Sequence, residues 1–127
     1  MEQKMEASEI IQRYAAGERD FQGVNLREAD LSGADLSGAN LSGADLSLAK
    51  LAQANLSEAD LSQVSLSGAL LQHANLSRAN LTAANLSWAD LGFANLTAAN
   101  LTGANMQMTI LFRARLTGAI MPTVTRP

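Results

Sequence analysis

Cysteine is absent from the chain, which removes disulfides, thiolate metal sites and cysteine nucleophiles. Histidine occurs once, at His73. It has no cysteine or second histidine with which to bind zinc, and no nucleophile beside it in a recognised geometry. Long apolar runs are missing too. The start, "MEQKMEASEI", is broken by acids, and elsewhere polar residues recur every few positions, so neither a signal peptide nor a membrane span is expected. A formal charge of −3 is too small to imply an electrostatic partner. These absences lead us to expect a soluble, cytoplasmic, non-catalytic chain of one domain at 127 residues. No cofactor, metal or small-molecule substrate is expected.

What is present is a grid. The stretch "LSGADLSGANLSGADLS", Leu31 to Ser47, repeats one phrase every five residues. The phrase runs from Phe21 through Leu26, Leu31 and onward to Leu101, Met106, Leu111, Leu116 and Met121 without insertion or deletion. Two residues before each centre stands a small residue, nearly always Ala, with Arg19, Val24, Val64 and Thr109 as exceptions. Asp or Asn mostly precedes the centre, and Ser or Thr mostly follows it. Leucines on so strict a grid, in a chain that is 47% hydrophobic, point to a repeat architecture and away from disorder.

A period of five suits neither common element. On a helix, successive leucines would land about 140° apart and form no stripe. On a straight strand they would alternate between faces, because five is odd. They share one core only if the chain turns a corner once per pentapeptide and coils around an axis. Centre and small residue then point inward, and the other three residues point outward. The phrases "ANLSR", "ANLTA" and "ADLSG" resemble the pentapeptide-repeat family over about residues 19 to 121. The "RYAAGERDF" that ends the leading segment resembles its cyanobacterial members. The resemblance implies an all-β solenoid, a right-handed quadrilateral β-helix with four pentapeptides per coil. It also implies five coils of 20 residues here, about 24 Å long at strand spacing of about 4.8 Å.

Charge placement gives a separate estimate of coil length. A coil of 15 residues would stack Asp30, Asp45 and Asp60, and one of 25 would stack Asp20 on Asp45 and Asp35 on Asp60. A coil of 20 stacks none of these on another. It sets Asp20, Asp35 and Asp60 over Asn40, Asn55 and Asn80, and offers ion pairs Asp30–Lys50 and Glu58–Arg78.

The ends read differently. Residues 3 to 16 form an expected helix, with Ala7, Ile10, Ile11 and Tyr14 on one face, Glu2, Glu6 and Glu9 early, and Gly17 as its stop. We expect it to cap the first coil, Ile10, Ile11 and Tyr14 resting on Phe21 and Leu26. The expected division is a capping helix over 1–17, the repeat coil over 18–121 and a tail over 122–127. Pro122 and Pro127 are placed to end the pairing, with no amphipathic cap after them.

Most outward positions are explained as repeat positions, with Asp and Asn hydrogen bonding at corners. Gly33, Gly38 and Gly43 lie at a variable outward position with no phosphate-loop pattern around them. The departures from consensus carry more information. With 20 residues per coil, Leu70, Trp88, Phe93, Met108, Ile110 and Phe112 gather on one edge of the lower coils, near His73, while the two opposite sides show almost only Ser, Thr, Asn and Gly. Such an apolar patch predicts a contact surface for a protein partner, a second copy of the chain first of all. Charge is uneven as well. Glu28, Asp30, Asp35, Asp45, Glu58 and Asp60 load the upper coils; Arg78, Arg113, Arg115 and Arg126 load the lower ones against Asp90 alone.

Two further readings follow. Some members of the resembled family modulate type II DNA topoisomerases by mimicking duplex DNA. That role would need a longer, strongly acidic rod. The hydroxyl columns Ser37, Ser57, Ser77, Thr97, Thr117 and Ser42, Ser62, Thr82, Thr102 could order water or ice, though a solvated surface explains them more simply. Direct binding to nucleic acid is not expected.

Overall fold

The computed structural model describes residues 3–123. Every fifth residue forms a parallel bridge to the residue twenty further on, from Asp20↔Asn40 to Asn100↔Ile120. Four five-residue units therefore close one turn. The stacking deduced from the aspartates is present: Asp20, Asp35 and Asp60 bridge Asn40, Asn55 and Asn80, and Asp30 bridges Lys50.

The sides carry no strand longer than one bridged residue among those described. The reason is the short period. Each bridged residue is followed at once by an inward centre and a turn, so no second residue on that side can pair. Backbone bonds still join the coils. Leu26 N–H donates to Asp45 O at 2.8 Å, Glu28 N–H to Ser47 O at 2.9 Å, and Asp45 N–H to Val24 O at 2.9 Å. Within each corner a turn closes, as Ala29 N–H donates to Leu26 O at 3.0 Å.

Two devices make the corner. The residue two after the centre is left-handed at every corner from Gly23 to Gly118, with φ between 56 and 72°. That is the third position of a type II turn. The variable position of Gly33, Gly38 and Gly43 thus has a conformational role. Second, the Asx side chain before the centre accepts from the backbone two residues on, as Asp35 Oδ1 does from Ser37 N–H at 3.1 Å and from its hydroxyl at 2.8 Å. The Ser37 backbone and hydroxyl, helped by Arg19 and Tyr14, hold the Asp35 carboxyl below the usual range. The hydroxyl and backbone of Ser32, with Lys50, do the same for Asp30.

The core is the predicted one. Centres from Phe21 to Leu101 are buried, and nearly all the small residues between them are buried as well. Val64 is accommodated at 1% exposure. Thr109 finds its acceptor in Leu86 O at 2.7 Å.

The cap departs from expectation. Helix α1 spans Ala7–Ala15, shorter than the predicted 3 to 16. Before it, Lys4 forms a parallel bridge to Asn25, and Met5 N–H donates to Asn25 O at 2.7 Å. This segment satisfies exposed backbone of the first coil, which a helix could not do. Gly17 ends α1 as expected, at φ 101°. Ile10 is fully buried and Tyr14 half-buried, its hydroxyl donating to Ser37 O at 2.6 Å. The Arg13 guanidinium lies 5.3 Å from the centroid of the Phe21 ring. Ile11 is 45% exposed and does not join the cap. It lies about 100° around the helix from Ile10, and the narrow coil end covers only the Ile10–Tyr14 side.

Two expected ion pairs are not formed. Among the described residues the salt bridges are Arg13–Glu9, Arg13–Glu18 and Arg27–Glu28, so neither Asp30–Lys50 nor Glu58–Arg78 closes. Asp30 turns its carboxylate to Ser32 instead. Glu2, Arg126, Pro127 and the tail beyond residue 123 lie outside the described residues.

Candidate interaction face

The side between the corners at Trp88 and Phe93 carries the departures from consensus. Around it the chain runs from corner to bridged residue to next corner: Gly68, Leu70, His73; Trp88, Asp90, Phe93; Met108, Ile110, Arg113. The inter-coil bridges place Leu70 over Asp90 and Asp90 over Ile110. All six residues singled out from the sequence are exposed: Leu70 42%, Trp88 66%, Phe93 46%, Met108 64%, Ile110 50% and Phe112 61%.

The structure brings part of this group into contact. His73 stacks flat on Phe93 with centroids 4.8 Å apart, and Phe93 meets Phe112 edge-on at 5.6 Å. Arg113 sits 5.5 Å from the Phe112 centroid. His73, itself exposed, is thus one end of an aromatic ladder.

The patch is not uniformly apolar. Asp90 stands between Leu70 and Ile110, its Oδ1 accepting from Gly92 N–H at 2.9 Å and its Oδ2 from Gln72 Nε2 at 3.0 Å. Leu48, 46% exposed and outside the six, belongs with them. It occupies the Trp88 column, and its side chain fills the space beside Gly68, where an added Cβ would come within 2.7 Å of it. Column membership was the available signal.

Backbone conformation sharpens the contrast. Trp88, Phe93 and Met108 sit at left-handed corners with φ of 63, 60 and 58°. Glycine holds this conformation without a Cβ clash, and seven other corners use it. An L side chain there costs about 1–2 kcal/mol. Trp88 and Met108 incur that cost and gain little burial from it.

A second apolar feature lies at the end of the coil. Met106, Leu111 and Leu116 are only half-buried, and Ile120 is 55% exposed. Ala104, Met106, Leu111, Met121 and Pro122 line an open depression of about 410 Å³.

Twenty-residue register, inward leucines and Asx-bonded corners define a four-cornered parallel solenoid. The chain belongs to the pentapeptide repeat family: the model of pentapeptide repeats matches residues 20–57, 59–92 and 79–118, in eight copies. Members of the family form right-handed quadrilateral β-helices. Similar solved structures include a pentapeptide repeat protein of the Arabidopsis thaliana thylakoid lumen, 42% identical, covering 73% of this chain and 65% of its own, with a TM-score of 0.71. Another is a pentapeptide repeat protein of the cyanobacterium Cyanothece, 38% identical over 80% of this chain and 63% of its own, TM-score 0.45. A third, from Nostoc, is 34% identical over 95% of this chain and 99% of its own, TM-score 0.45. The chain thus spans less than two thirds of the first two relatives. No curated protein matches it. No described helix is long and apolar enough to cross a membrane. The thylakoid-lumen relative lends the expected cytoplasmic location no support.

Proposed function

We propose that this protein is a non-catalytic interaction rod of five coils, with residues 1–17 as cap, 18–121 as rod and 122–127 as tail. Its contact surface is the side bearing Trp88, Phe93, Met108, Ile110 and Phe112, and its partner is a second copy. One observation carries the reading. Large apolar side chains cluster exposed on this side, at corners and bridged positions where most of the rod uses glycine, alanine or polar residues. An exposed cluster of this kind supports association. Buried Trp and Phe are the side chains that dominate binding energy at interfaces.

Replacing Trp88 and Ile110 together by Ser tests it. Light scattering should report a mass above the monomer for the parent and the monomer mass for the double variant. An unchanged mass would remove the face from consideration. The topoisomerase reading gains less support, because Arg78, Arg113 and Arg115 interrupt any acidic, DNA-like surface on the lower coils.

A further inference from the structure

We infer that the lower end of the coil takes an extended protein segment with aspartate at its bridged positions, which adds further sides to the solenoid. This surface is separate from the side bearing Trp88, and the inference goes beyond the self-association proposed above.

The chain leaves its coiled path at Met121. In the coils above, a corner N–H donates to the coil below: Gly23 to Ser42 O, Gly43 to Ser62 O, Gln63 to Thr82 O and Ala83 to Thr102 O. Gly103 makes no such bond to Pro122. Met121 is 39% exposed, whereas Leu101, one coil up, is fully buried. The last coil therefore keeps an unused edge. Leu91 and Phe93 N–H donate downward to Ile110 and Phe112 O, and Leu96 and Ala98 N–H to Arg115 and Thr117 O. Their counterparts Leu111, Arg113, Leu116 and Gly118 find no acceptor among the described residues, and Thr109 O and Ala114 O find no donor there. Such a row of backbone groups is a template for another strand.

The upper end shows how this protein closes a coil. Lys4 bridges Asn25, Met5 N–H donates to Asn25 O, and Ile10 joins the core. An extended segment supplies the hydrogen bonds, and an apolar side chain supplies the packing. The lower end makes both demands again, with its free edge and the depression beside Met106 and Leu111. A lipid surface could meet the second demand but not the first, since hydrocarbon offers no hydrogen-bond partners.

Charge selects the segment. No Asp or Glu follows Asp90 in the sequence. The last coil presents Arg113 and Arg115, both exposed and outside any salt bridge among the described residues. The lower end of a second copy carries the same two arginines and no carboxylate to meet them. Arg115 bridges Asn95 above it, so the next residue of that column falls beneath Arg115. Asp90 shows what an aspartate at a bridged position can do. Its Oδ1 closes its own turn on Gly92 N–H, and its Oδ2 accepts from Gln72 in the coil above. An aspartate below Arg115 has a guanidinium above it in place of that amide.

A synthetic peptide tests this. The sequence ADLSGADLSG, residues 29–38 of this chain, is a suitable probe, because its two aspartates belong to the columns of Ile110 and Arg115. By titration calorimetry it should bind with a dissociation constant below about 1 mM. At saturation it should slow amide exchange at Leu111, Arg113, Leu116 and Gly118 about tenfold or more. The peptide ANLSGANLSG keeps the turn acceptors and should bind about threefold to tenfold more weakly. Arg115→Glu should weaken the acidic peptide about tenfold or more. Arg115→Asn, matching Asn75 and Asn95 in its column, preserves the turn and should weaken it about threefold. The Trp88/Ile110 serine variant should still bind, so this inference and the self-association fail separately. No binding at about 1 mM, equal binding of a scrambled peptide, unchanged amide exchange, or indifference to Arg115→Glu overturns the inference. If Met106→Asp instead lowers the mass of a self-associating parent and the peptide leaves exchange unchanged, a second copy covers this end and the inference falls.

Discussion

The upper and lower coils share one backbone plan and differ in almost everything outside it. Above, corners are filled by Gly23, Gly33, Gly38 and Gly43, the turn acceptors are largely Asp, and α1 closes the end. Below, corners hold Trp88, Phe93, Met108 and Arg113 beside Gly103 and Gly118, the acceptors are largely Asn, and Met106 and Leu111 line an open depression. The inward positions tolerate almost no variation because each is packed by coils on both sides. The outward ones are free to be spent on solubility, turn stability or contact. Two halves of one solenoid can therefore serve different ends without disturbing each other.

The largest effect that would sharpen this comparison is a leucine truncation made in the middle and again at the open end. Leu66→Ala, fully buried, should lower the unfolding free energy by about 2–5 kcal/mol. Leu111→Ala, half-buried, should cost closer to about 1 kcal/mol. Equal losses in urea titrations would show that the lower end is as well packed as the middle.

Corner exchange comes next. Gly38→Ala, at φ 69° with open space around it, should destabilise by about 1 kcal/mol because only the backbone conformation opposes the new Cβ. The reverse exchange, Ala98→Gly at φ 59°, should be neutral or stabilising by up to about 1 kcal/mol, since relief of the left-handed conformation outweighs the added chain entropy. If melting temperatures move the other way in both, the corner conformation is not the source of strain.

The smallest effect is on acid stability. The folded carboxyls of Asp30 and Asp35 titrate below their unfolded values. Their contribution is therefore complete above the ordinary aspartate pKa of about 4 and is lost as pH falls through the lowered folded values. Asp35→Asn keeps the turn acceptor and removes the titration, as Asn55, Asn75 and Asn95 do in the same column. Its melting temperature should fall less than the parent's between about pH 5 and pH 2. Identical pH curves would mean that the upper Asp turns hold no advantage that the lower Asn turns lack.

Most of the solenoid was legible in the residues because its rule is local. Every quintet states its own inward pair and most state their own Asx turn, and the placement of the aspartates disfavours coils of 15 or 25 residues. The columns of the candidate face could be written down for the same reason. The contact between His73 and Phe93 was not legible because the two are one coil apart and the stacking depends on side-chain rotamers. The ion pairs Asp30–Lys50 and Glu58–Arg78 were overestimated because bridging aligns backbones, while the Asp30 carboxylate has a nearer donor in Ser32.

The amino-acid order by itself determined the period and the inward set, since both follow from excluded volume and burial repeated along the chain; the register of twenty followed from the family resemblance and from where the aspartates fall. Only the tertiary structure decided where α1 begins, that residues 4 and 5 pair with the first coil, that Ile11 faces outward, and which aromatic rings touch. Those outcomes depend on the shape of a coil's end and on side chains in neighbouring turns, and no single quintet contains that information.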